Sequence, residues 1–147
     1  MIKIYYPTHP FKIREPEPKK EEIWDELRKG WVRLTPEEWV RQNFIQYLLQ
    51  VKIYPASYMA VERRMKLGEL NKRFDLLVFD KSAQPWMLVE CKAIKEKLDN
   101  RVLWQVLRYN MAIPVKYLVV TNGEECHAFI KGPVDFEAIA TLPSYNE

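Results

Sequence analysis

Three short runs constrain this chain most: RFDLLVFD at 73–80, PWMLVECK at 85–92 and VKYLVVT at 115–121. Each is apolar and β-prone, and each is far shorter than the roughly 20 residues a membrane helix needs. Turn-forming GELNK and DKSAQP flank the first, and an earlier run, YMAVERRMKLG, reads as its preceding strand. Asn122-Gly123 after the third predicts a tight turn, with EECHAFI as the hairpin partner.

Two helices complete the pattern. Thr35 is a good N-cap, Pro36 suits the first helical position and Glu38 completes a T-x-x-E capping box, so a helix is expected from about Pro36 to Val51. Its apolar stripe is Val40, Phe44, Tyr47, Leu48 and Val51. NRVLWQVLRYNMA predicts a second helix, with Val102, Leu103, Val106 and Met111 opposed to a polar stripe of Arg101, Gln105, Arg108 and Tyr109. The core order α-β-β-β-α-β, followed by a further strand, predicts an α/β fold: a mixed β-sheet flanked by helices.

The length of 147 residues suits one domain, and no GxxxxGK[ST] loop is present to support ATP-driven chemistry. Residues 1–33 are rich in proline and charge and predict an arm packing through Phe11, Ile13, Trp24 and Leu27 onto a core at 34–147. A net charge of +3 permits an anionic partner without requiring one. Cys91 and Cys126 lack CxxC spacing and are expected to be reduced; with no membrane-length run and no signal-like N-terminus, a cytoplasmic protein is expected. Trp24, Trp31, Trp39, Trp86 and Trp104 are expected in the core or at subunit contacts, with Trp39 turned toward the N-terminal arm, and His127 on an edge strand.

Charge in the buried strands carries the chemistry. Glu90 and Lys92 share one face of their strand, while Val89 and Cys91 face the other way. Asp75 lies in an otherwise apolar strand, where an uncompensated carboxylate is costly. Adjacent strands would place Asp75 beside Glu90, and a hard divalent cation would relieve their repulsion. Lys92 would then stand next to a metal-bound water. On the first helix Glu37 falls roughly 40° from the centre of the apolar stripe, so it is favoured over Glu38 as a third acid, with Arg41 as its i,i+4 partner. Simpler roles compete: an ordinary ion pair for Glu90 and Lys92, helix-dipole stabilisation for Glu37, and a solvated face for Arg101 to Tyr109.

The ordered set Asp75-x14-Glu90-x-Lys92, the preceding helix with PEEWVRQ and the following Gln105-x3-Tyr109 resemble the PD-(D/E)xK nucleases. More narrowly, residues from about Leu34 to Gly123 resemble the N-terminal nuclease domain of type I restriction enzyme R subunits. Phe74 stands where the motif's proline would be. The resemblance implies a restriction-endonuclease-like fold that cleaves DNA with Mg²⁺, or Mn²⁺ in its place. It assigns Asp75, Glu90 and the Cys91 backbone carbonyl to the metal, and Lys92 and Glu37 to catalysis. Gln105 and Tyr109 would contact DNA, joined by Arg101, Arg108 and Arg41. Partners would be DNA and a second copy of the chain or a larger restriction complex. A non-catalytic DNA-binding or assembly module is the alternative, and RNA is an alternative substrate.

Overall fold

The computed structural model describes residues 1–146, except for the side chains of Leu67 and Leu70. A three-stranded antiparallel sheet comes first: β1 (Ile13–Glu17), β2 (Lys20–Asp25) and β3 (Gly30–Arg33). Helix α1 (Pro36–Gln50) follows. The main sheet then runs β4 (Met59–Leu67), β5 (Leu70–Phe79), β6 (Pro85–Cys91), β7 (Tyr117–Thr121), β8 (Cys126–Lys131) and β9 (Phe136–Ile139), in that spatial order. Helix α2 (Asn100–Tyr109) connects β6 to β7, the one parallel pair of this sheet; the other neighbours are antiparallel.

The expected core elements are present, with β9 added. The N-terminal segment, expected as an arm on the core, forms a β-meander over Ile13–Glu17, Lys20–Asp25 and Gly30–Arg33. Ile23 and Asp25 are its fully buried residues while Ile13 is exposed, because alternation along β2 turns Ile23 and Asp25 inward. Trp24 and Trp31 pair edge-to-face across β2 and β3. Phe11 packs on Trp39 at 5.1 Å, so Trp39 does face the N-terminal segment.

This small sheet explains a departure in α1. The helix packs on β6 through Val40, Phe44 and Leu48, and its buried residues also include Glu38, Arg41, Gln42, Ile45 and Gln46. A periodicity argument assigns one buried face; here β2 and its following turn cover part of the other through Asp25 and Arg28. Val51, expected in the stripe, is 48% exposed past the helix end.

One main core lies on the α1 side of the sheet, around Phe44, Leu48, Val78, Val89 and Val119. On the other side Phe74, Leu77, Leu88, Leu118 and Phe129 form a second core, and Leu98 and Leu103 pack on Val120. Strands β5 to β7 are therefore covered on both faces, which is why their sequences read as unbroken apolar runs. Helix α2 starts at Asp99, whose carboxylate accepts from the Val102 N–H, and ends at Asn110, so Met111 lies outside it and is exposed. Trp104 is half exposed and so lies outside the core, and β8 lies inside the sheet, so His127 is not on an edge. Cys91 and Cys126 are free and buried. Among the described residues no helix is long and apolar enough to cross a membrane.

Leu88 is fully buried between β5, β7 and the second core. Leu88→Ala should cost about 2–5 kcal/mol, measured as a lower urea midpoint at unchanged slope.

Candidate metal and nucleic-acid site

Register places the charges. Leu76 pairs with Val89 across β5 and β6, so the next step outward sets Asp75 against Glu90. On the other side, Glu62 falls opposite Asp75, between the pairs Val61↔Leu76 and Arg63↔Phe74. Three carboxylates thus stand in a row across β4, β5 and β6. Like charges in directly opposed positions destabilise a sheet, so each needs a compensating partner.

Glu62 has left-handed backbone, φ 51°, which interrupts the β4 strand at this point. Its carboxylate accepts from Arg28 at 3.2 Å, Arg41 at 3.3 Å and Arg73 at 2.6 Å. Those arginines hold its pKa below the usual range against the opposing effect of burial.

Asp75 is held by backbone and by one guanidinium. The Lys92 N–H donates to the Thr121 carbonyl on β7. Backbone groups alternate sides along a strand, so the Cys91 N–H points toward β5, where it donates to Asp75 Oδ2 at 2.8 Å. By the same alternation the Cys91 carbonyl faces the β5 side, toward Asp75. Arg41 Nη1 lies 3.5 Å from Asp75 Oδ1.

Glu90 is strongly perturbed. Its pKa is raised to about 8, first by burial and then by the charge of Asp75 and a side-chain hydrogen bond to Asp75; Lys92 lowers it and Glu37 adds a smaller rise. The protonated Glu90 therefore donates to Asp75, and the proton screens the two carboxylates from each other.

The two acids open on different depressions. Asp75 lines one of about 410 Å³ with Arg33, Glu37, Glu38, Arg41 and Glu62. Glu90 and Lys92 line another, of about 230 Å³, with Gln105, Tyr109 and Asn110. The Gln105-x3-Tyr109 spacing is one helical turn, so both residues reach the same depression. Arg101 and Arg108 lie on the exposed face of α2. The Lys72 ammonium, buried beside this helix, donates to the Tyr109 carbonyl and sits 3.9 Å from its ring centroid. Lys72 belongs to the surroundings of the site, although its place in a basic and polar turn-strand segment gave no signal in the sequence.

The helical acids are where sequence and structure part. Glu37 is exposed at the rim of the first depression, whereas Glu38 is the inward residue, only 3% exposed. The Thr35 hydroxyl accepts from the Glu38 N–H at 3.0 Å, as a capping box requires. The Glu38 carboxylate goes elsewhere: Oε1 accepts from Arg28 at 2.8 Å and Arg41 at 2.6 Å, and Oε2 from Arg41 at 3.1 Å and Gln42 at 3.0 Å. Four donors leave it little capacity for a metal ion. Arg41 pairs with Glu38 rather than Glu37, and it is buried, with further contacts to Glu62 and Asp75. Spacing on a wheel missed this because it could not include the N-terminal sheet on the helix's second side.

A mixed sheet flanked by helices, with paired acids on adjacent central strands, is the restriction-endonuclease-like fold. Residues 36–143 match the family model for the type I restriction enzyme R protein N terminus, and the chain belongs to that family. No curated protein matches it.

Because Glu90 binds its proton more tightly folded than unfolded, its contribution to stability is full at low pH. That contribution is lost as pH rises from the ordinary carboxylate range through about 8. In metal-free buffer the melting temperature should fall over that window, and Glu90→Gln should flatten the fall, the variant gaining on the wild type as pH rises. Parallel curves for the two proteins would place the shift elsewhere.

Proposed function

We propose that the chain is a metal-dependent nuclease module that hydrolyses phosphodiester bonds in DNA within a restriction system. The observation that supports this reading best is the side-by-side placement of Asp75 and Glu90, with Lys92 just past the end of β6 in the depression shared with Gln105 and Tyr109. Two opposed carboxylates that share a proton are a donor set suited to a hard cation such as Mg²⁺ or Mn²⁺. Asp75, Glu90 and the Cys91 carbonyl would hold that cation. Bound there, it lowers the pKa of a water and neutralises charge on the phosphate.

The chain's own groups have separate tasks. Lys92 orients the attacking water and stabilises negative charge developing on the phosphate oxygens. Gln105 and Tyr109 hold the nucleotide strand against the site, Tyr109 by stacking and Gln105 by hydrogen bonding. Arg101 and Arg108 on the outer face of α2 bind neighbouring phosphates and make affinity salt-dependent. Glu37 acts from the rim, where its charge adds to the field at Glu90. Cutting both strands of a duplex calls for two such sites, and hence for two copies of the chain or a second nuclease in the complex.

One observation favours the second reading, a DNA-binding or assembly module without catalysis. Among the described residues no group of three or more His, Cys, Asp or Glu side chains is arranged to hold a metal ion. That leaves two acidic side chains and one carbonyl as the cation's protein ligands.

Incubation with plasmid, linear and branched DNA and with RNA, in Mg²⁺ or Mn²⁺, separates the readings. The wild type should cleave DNA, and Asp75→Ala and Lys92→Ala should each lose roughly 100-fold or more in rate at unchanged salt-dependent binding. Binding without cleavage by any of the three proteins supports the assembly module. Equal cleavage by all three would show that these residues are not the site.

A further inference from the structure

The matched family segment begins at residue 36, yet the charges around Asp75 reach back beyond it. Asp25, at the end of β2, is fully buried. Its carboxylate accepts from the Leu27 and Arg28 N–H groups, from Arg28 Nε at 2.5 Å and from Gln42 at 3.0 Å. Arg28 is thereby fixed, and its two Nη groups reach Glu38 and Glu62.

Arg41 faces three carboxylates at once: Glu38 at 2.6 Å, Glu62 at 3.3 Å and Asp75 at 3.5 Å. Asp75 is the most distant and so the most weakly held. Arg28 shares the first two of these acids and leaves Nη1 of Arg41 to Asp75. Without Arg28, Glu38 and Glu62 would both draw on Arg41, and Asp75 would lose its partner first.

We infer that the N-terminal sheet is part of the site: Arg28 is a positioning residue that keeps Arg41 on Asp75 by satisfying Glu38 and Glu62. The role deepens the nuclease reading, but it can be tested without cleavage. The Cys91 N–H donates to Asp75 Oδ2, so its hydrogen exchange reports whether Asp75 is held in place. The Leu88 N–H, in the middle of β6, reports on the strand as a whole.

The experiment compares Cys91 and Leu88 amide exchange by NMR in the full chain, for wild type, Arg28→Met, Glu62→Gln and the double variant. DNA cleavage in Mn²⁺ is followed in parallel. Arg28→Met should speed exchange at Cys91 about tenfold while Leu88 stays within about twofold. Adding Glu62→Gln removes one competitor for Arg41 and should return Cys91 to within about threefold of wild type. A merely structural arginine predicts no such rescue, since the second substitution removes another of its contacts. Arg28→Lys keeps the charge and guards against a failure to fold. Its single-point ammonium cannot serve Asp25, Glu38 and Glu62 together, so it should show an intermediate acceleration at Cys91.

Unchanged Cys91 exchange in both Arg28 variants overturns the inference, as does a loss that Glu62→Gln does not restore. The expected exchange pattern in proteins that do not cleave upholds the positioning role and sinks the nuclease reading. Cleavage by the wild type with flat Cys91 exchange does the reverse.

Discussion

Three carboxylates in a row across β4, β5 and β6 are the constraint that much of the rest answers to. Glu62, Asp75 and Glu90 occupy directly opposed positions on three adjacent strands, two of which, β5 and β6, continue from there into apolar, buried segments. Each is compensated by a different means: Glu62 by three arginines, Asp75 by one guanidinium and a backbone N–H, Glu90 by retaining its proton. The gradient from fully paired to proton-bound runs across the sheet toward Lys92. The end of the row with least cationic compensation is the end that faces Gln105 and Tyr109.

That gradient sets the architecture around it. Helix α1 carries both a buried acid and a buried base beside its apolar stripe, because Glu38 and Arg41 link the row to the N-terminal sheet. The helix is therefore buried on more than one side, and polar residues appear among its buried positions without being orphaned. The N-terminal meander, anchored by the buried Ile23, brings in Asp25 and Arg28. Two depressions result, divided by the Asp75 and Glu90 pair, one walled by α1 and β3 and the other by α2.

Much of the sheet was legible in the chain. The apolar runs at 73–80, 85–92 and 115–121 correspond to β5, β6 and β7, because burial on both faces leaves few polar positions to obscure a strand. Thr35 and Pro36 marked the start of α1 because capping is local chemistry. The juxtaposition of Asp75 and Glu90 also followed from spacing, since a strand, a turn and a strand fix the pairing within narrow limits. What it missed was which of Glu37 and Glu38 turns inward and which acid Arg41 pairs with. Both depended on a second covering layer whose strands are mostly exposed and charged, IREPE and KEEIWD, and so carry no burial signal.

The amino-acid sequence by itself determined the order of elements from α1 to β8, the apolar character of the central strands and the residues available for chemistry, because periodicity, capping and turn preferences act over a few neighbouring residues. Only the tertiary structure decided which charges meet. Arg28 reaches Glu62 from 34 positions away, and Arg41 reaches Asp75 across the same separation. Ion pairs of that kind depend on how layers stack around α1, and layer stacking is settled by the packing of the whole chain.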